Sequence, residues 1–181
     1  MAVIRCMQIE LRKGMNLYQG SYHAVVAPES VLVSAINSNA ELQRFLFLYL
    51  GGNYSRLLSG IHRDSKNFDV RRAFTAHQLF SMLKEAAHTI ILIEHDPTLF
   101  DGAENMIPPV AGALKDAGRE SLVILYTPVI DRTFALLMRQ ADRVIEITSI
   151  DQVPLCQSAH MIHVQRTGGP LVKGQRTLEV F

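Results

Sequence analysis

An α/β fold in three layers, with a mainly parallel sheet, helices on both of its faces and antiparallel strands at one edge, is predicted by three observations. Short apolar runs alternate through the middle of the chain with stretches of helical periodicity. Those runs are continuous rather than alternating in polarity, as strands covered on both faces require. The tail then changes character, with short apolar segments around Gly168-Gly169-Pro170 and Gly174, the pattern of a C-terminal hairpin.

Taken in order, the first 13 residues alternate loosely through Val3, Ile4, Met7, Ile9 and Leu11, and fit an edge strand or a short helix equally. Gly14 and Gly20 bracket a turn-rich passage. Residues 22–27 (YHAVVA) read as a buried strand, after which Pro28 or Ser30 opens a helix that stops at the polar break Asn37-Ser38-Asn39. A second buried strand, residues 45–50, closes on Gly51-Gly52-Asn53. Glycine there accepts a positive φ and lets another backbone or a ligand come close. Residues 54–61 read as a short helix, 62–67 as a polar loop and 68–73 as a short strand carrying Arg71 and Arg72.

Thr75 is a good N-cap for a helix over residues 76–87, which sets Leu79, Met82, Leu83 and Ala86 at helical spacing. Residues 90–93 (IILI), bounded by polar positions and then by Pro97, form the most strand-like run in the chain. A helix over 103–118 must hold Pro108-Pro109 near its first turn or kink there, and Gly118 is its natural C′ residue. Residues 122–126 (LVILY) are another buried strand, stopped by Pro128; a helix over 131–143 and a strand over 144–147 follow. Residues 160–165 and 177–181 are the expected hairpin strands. No repeat, low-complexity tract or linker interrupts the 181 residues, so one domain over 1–181 is expected.

Hydrophobic residues at 48% and charged residues at 19% describe a globular chain, and a net charge of +1 provides no broad basic field for nucleic acid or an anionic membrane. Cys6 and Cys156 have no metal-ligand spacing, which predicts reduced thiols in a cytoplasmic protein. Charges within the first ten residues argue against a signal peptide. No apolar stretch approaches the ~20 residues that a bilayer span needs.

The acidic end of the 90–93 run, Glu94-His95-Asp96, lies where an open α/β sheet places its ligands. Neighbouring residues on a strand point to opposite faces, so only Glu94 and Asp96 can converge, and two carboxylates alone make a weak metal site. A solvated strand end with Asp96 starting a turn is the simpler reading. His160 and His163, three apart, likewise fall on opposite faces of a strand. No Gly-x-Ser-x-Gly elbow is present and neither cysteine has an evident histidine partner, so nucleophilic catalysis has little support. Residues 168–174 lack the Ser/Thr and helix of a phosphate loop and read as a hairpin turn.

Residues 71–79 (RRAFTAHQL), a short strand running into a helix and followed by an apolar strand with an acidic end, resemble the RecA/RadA-type recombinase ATPase core. Residues 140–147 (QADRVIEI) and the closing hairpin with its basic, glycine-containing turn are similar to that family too. The resemblance covers roughly the last two thirds of the chain. It implies a P-loop NTPase fold, a nucleotide with Mg²⁺, DNA, and assembly into multi-subunit structures.

Departures from the family pattern shape the functional expectation. A phosphate loop needs glycines, a lysine and a Ser/Thr. The matching place holds Ala27-Pro28-Glu29-Ser30-Val31, where Glu29 repels a nucleotide. The family's water-orienting glutamate is missing, since its strand here ends Leu50-Gly51-Gly52-Asn53. The Mg²⁺-holding acid falls at or beside Glu94. Glu29, Ser30, Gly51, Gly52, Asn53, Glu94 and Asp96 therefore make up a degenerate nucleotide site. No catalytic residue, metal or cofactor is expected.

The family's DNA-binding loops correspond to the acidic DPTLFDGAE and the brief 127–131, which are too short and wrongly charged to follow a phosphate backbone. Basic residues gather instead at Arg63, Lys66, Arg71 and Arg72, and at Arg166, Lys173 and Arg176. The leading expectation is a non-catalytic, recombinase-like domain in DNA repair or recombination that acts with a protein partner or as a homo-oligomer. One alternative is an enzyme or small-ligand binder using Glu94 or Asp96 beside Gly51, Gly52 and Asn53. The other is a DNA-binding accessory factor.

Overall fold

A computed structural model describes residues 7–148. Arg166, Lys173, Arg176, both cysteines, His160, His163 and the predicted closing hairpin lie outside the described residues. Strands β1 (Gln8–Arg12) and β2 (Met15–Tyr18) form an antiparallel hairpin turned by Gly14, whose φ of 82° only glycine takes without strain. This settles residues 8–12 as strand and corrects the turn-rich reading of residues 15–18. The eBeBe burial of β1 is the alternation of a strand with one face covered.

The remaining strands are β3 (Ser21–Val26), β4 (Phe47–Gly51), β5 (Phe68–Arg72), β6 (Ile90–Glu94), β7 (Leu122–Thr127) and β8 (Arg143–Glu146). They form one six-stranded sheet in the order β5-β4-β6-β7-β3-β8, every pair parallel. β4, β6 and β7 are buried along their whole length, which is why their sequences are unbroken apolar runs. β5 forms one outer edge and is half exposed.

Four α-helices connect these strands: α1 (Glu29–Asn37), α2 (Ala76–Glu85), α3 (Ile107–Ala117) and α4 (Arg132–Leu137). Alternation along the strands divides the core between two layers. Val25, Tyr49, Leu92 and Ile124 pack under α1 and the β1–β2 hairpin; Ala24, Leu50, Ile93 and Leu125 pack under α2, α3 and α4. Phe134 of α4 is fully buried, and a burial of that size contributes about 2–3 kcal/mol. Thr75 caps α2 as its sequence predicts, accepting the Gln78 N–H at 3.2 Å.

Three predicted helices are shorter than expected. α3 begins at Ile107, behind a 3-10 turn, with Pro108 and Pro109 in its first turn where their missing N–H groups cost nothing. Residues 54–61 hold only a 3-10 turn, Leu57–Ser59. α4 ends at Leu137 and a 3-10 turn follows, because Asp142 has to meet β3: its N–H donates to the Tyr22 carbonyl at 2.8 Å and its carboxylate accepts the Tyr22 N–H at 2.9 Å. Gly118 follows α3 at φ −62°, not in the left-handed region. Its requirement is space, since a Cβ there would come within 2.9 Å of the Tyr22 nitrogen. No described helix is long and apolar enough to cross a membrane.

Candidate functional site

The chain leaves adjacent strands toward opposite faces at two places. From β4 it passes on the α1 side, while from neighbouring β6 it passes on the α3 side. From β3 it enters α1, while from neighbouring β7 it enters α4. Such switch points open crevices at the C-terminal ends of parallel strands, where α/β folds place their ligands. The first crevice holds Gly51, Gly52, Asn53, Glu94 and Asp96; the second holds Glu29 and Ser30.

In the first crevice Glu94 is 7% exposed and directed to the α1 side. Its Oε1 accepts the backbone N–H of Arg56 at 2.8 Å and of Leu57 at 3.4 Å. Its Oε2 accepts the Ser55 hydroxyl at 2.9 Å and the Tyr49 hydroxyl. Burial and the acceptor Glu94 both push the Tyr49 phenol up, so it remains a donor. Asp96 caps the 3-10 turn Pro97–Phe100, as its place before Pro97 predicts, taking the Thr98 N–H at 3.0 Å and hydroxyl at 2.7 Å on Oδ1. Oδ2 takes the Tyr54 N–H at 3.1 Å. Burial works to raise this carboxyl, but the bonds from Thr98, Tyr54 and Asn53 outweigh it and hold Asp96 below the usual range.

The structure therefore brings Glu94 and Asp96 to one loop, residues 53–57, which wraps both acids and fills the crevice. Gly51 and Gly52 do not have positive φ. Gly52 is needed for close approach: a Cβ on it would stand 2.4 Å from the Asp96 Cβ. What approaches is the chain's own carboxylate. Asn53 adds a bond from its side-chain amide to the Thr98 hydroxyl at 3.0 Å.

His95 points to the other side of the sheet, as strand alternation requires. Its Nε2 lies 2.7 Å from the Asp131 carboxylate, which also caps α4 by accepting the Phe134 N–H at 2.8 Å. The ring meets Phe134 edge-on at 5.4 Å. Burial lowers the imidazole pKa, and Asp131 opposes that without reversing it. The pair fastens the end of β6 to the start of α4.

The second crevice is closed by the backbone. The Ala27 N–H donates to the Thr127 carbonyl at 3.3 Å, and the Tyr126 hydroxyl donates to the Ala27 carbonyl at 3.0 Å. Pro28 has no N–H, and the Val31 N–H is taken by the Pro28 carbonyl at 3.0 Å. Glu29 and Ser30 stand exposed in the first turn of α1, with an acid where a phosphate would need a donor. The glycines and the lysine that let a loop wrap a nucleotide's phosphates are lacking in residues 27–31, and Glu29 sets a carboxylate at the start of α1, so the turn does not fit the group.

Among the described residues the basic side chains do not form one patch. Arg63 and Lys66 lie in the loop that enters β5, whereas Arg71 and Arg72 lie at its far end, on opposite faces of the strand. Among the described residues no three His, Cys, Asp or Glu side chains cluster as metal ligands. Sequence reasoning missed Tyr49, Ser55 and Asp131. Tyr49, a polar tip within an otherwise apolar strand, was the one available signal, because a buried hydroxyl needs a partner.

No family model matches the chain. A protein of Archaeoglobus fulgidus, described only as an uncharacterised protein, is 35% identical to it over 163 residues, 90% of this chain and 83% of that relative.

Proposed function

The chain belongs to one family with that archaeal protein, and we propose that it is a RecA-like domain without a working nucleotide site, acting through assembly with protein partners in DNA repair or recombination. One observation carries the reading. Glu94, which the resemblance to the recombinases puts at or beside their Mg²⁺-holding acid, spends both carboxyl oxygens on Tyr49, Ser55, Arg56 and Leu57 of its own chain. An acid so engaged stabilises the fold and has no lone pair directed at a ligand. The turn at residues 27–31 supports the reading from the other crevice, and a parallel sheet with helices on both faces supplies the frame.

Isothermal titration of the chain with Mg·ATP tests it. The expected result is no heat of binding up to millimolar nucleotide; saturable binding in the micromolar range would overturn the reading. Native mass spectrometry of the protein isolated from its source cells tests the assembly half. A defined complex is expected, and a monomer at every concentration would count against it.

A further inference from the structure

Beside the filled crevices lies one that is open among the described residues, a cleft of about 490 Å³ between the 97–111 segment and α4. Its floor is apolar, formed by Phe100, Ile107 and Ala111, all buried, together with half-buried Leu136. Its rim carries two acids, Asp101 and Glu104, and two arginines, Arg132 and Arg139, all exposed. None of the four forms an ion pair among the described residues.

This distribution distinguishes between occupants. Pockets for small molecules combine apolar walls with a few convergent polar groups that fix orientation. Here the polar groups stand on the rim, and the centre is apolar, the anatomy of an anchor point between proteins. Charges of both signs sharing one cleft without pairing leave each to be met by the occupant. Arg132 and Arg139 are seven positions apart, which spans roughly 10 Å or two helical turns. A helix laid in a groove presents its contacts at that spacing.

We propose that the cleft between α3 and α4 docks an amphipathic helical segment of a partner protein. Its apolar side chains fill the floor over Phe100, Ile107 and Leu136. Acidic residues seven apart meet Arg132 and Arg139, and a basic residue meets Asp101 and Glu104. This rests on the assembly reading and names the surface through which assembly occurs.

The test is selection of 14-residue helical peptides from a displayed library on the full chain, with affinities measured by fluorescence anisotropy. Selected peptides are expected to carry apolar residues at i, i+3 or i+4 and i+7, flanked by acids. The double variant R132E/R139E, which changes exposed residues only, should weaken them by roughly tenfold or more. Peptides with the acids changed to lysine should regain binding to that variant. Peptides that bind wild type and variant equally would overturn the proposal. So would a cleft that binds the amphipathic dye 1-anilinonaphthalene-8-sulfonate while no selected peptide displaces it. The variant leaves residues 27–31 and Glu94 untouched, so the Mg·ATP titration fails or succeeds independently of this result.

Discussion

Two concave regions of the protein treat charge in opposite ways. In the crevice between β4 and β6, both oxygens of Glu94 and both of Asp96 have donors from the chain. In the cleft between α3 and α4, two acids and two arginines have no partner of opposite charge among the described residues. The first is concave in topology only, since the 53–57 loop occupies it. A fold's customary ligand position and its unfilled concave surface are separate properties, and saturation of charged groups tells them apart.

The largest effect that sharpens this contrast is expected from Glu94→Ala. It removes the acceptor of two backbone N–H groups and leaves the Tyr49 and Ser55 hydroxyls only each other, at 2.6 Å, a loss of about 2–4 kcal/mol by urea unfolding. Glu94→Gln keeps an acceptor for the N–H pair and should cost about 1–2 kcal/mol. An alanine variant as stable as wild type would mean that the loop is held by something else.

A titratable group outside both regions gives the next effect. His23 is fully buried, and its Nε2 accepts the Tyr18 N–H at 3.2 Å. Burial, aided by the Arg143 charge, pushes its pKa down to about 4. The unfolded chain therefore binds the proton that the folded one refuses between about pH 6.5 and 4. Stability is full above that window and falls by about 3 kcal/mol on acidification through it. His95, also lowered by burial, acts with the same sign. Asp96, held low, adds its loss only as the pH drops below the ordinary carboxylate value. Urea midpoints at pH 7 and pH 4.5 should show a slope in wild type that His23→Gln flattens; an unchanged slope in the variant would exclude His23 as its source.

The smallest effect is expected at the open cleft. R132E/R139E should alter unfolding stability by no more than about 0.5 kcal/mol, because neither guanidinium is paired within the described fold. A loss of more than about 2 kcal/mol in the same urea assay would show that the rim charges are structural, and the contrast would collapse.

The parallel sheet was legible because buried strands must be apolar throughout: IILI before Glu94 and LVILY before Pro128 admit little else. The β1–β2 hairpin was not, since MNLY is too short and mixed to show a period. The helix read over 54–61 is only the 3-10 turn Leu57–Ser59, and the N–H groups of Arg56 and Leu57 at its start are taken by Glu94, which lies far along the sequence. The role of Glu94 was hidden in turn, because two of its four donors are backbone groups and carry no sequence signature. Asp131 was read as a helical residue, whereas it stands outside α4 as its cap and binds His95. The start of α1 was legible, since Pro28 and the polar break at Asn37-Ser38-Asn39 bound the helix on either side.

The outer edge of the sheet carries one further consequence. Among the described residues β5 has a neighbour on one side only, and the other side of such a strand presents backbone groups to which an extended foreign chain could anneal. Asp69, Arg71 and Arg72 occupy three of its five positions, and Asp69 is drawn to His88 at 3.0 Å. Such charges oppose the stacking of strand on strand that begins fibrous aggregation. Among the ways in which proteins associate, this charged margin discourages the one that never closes.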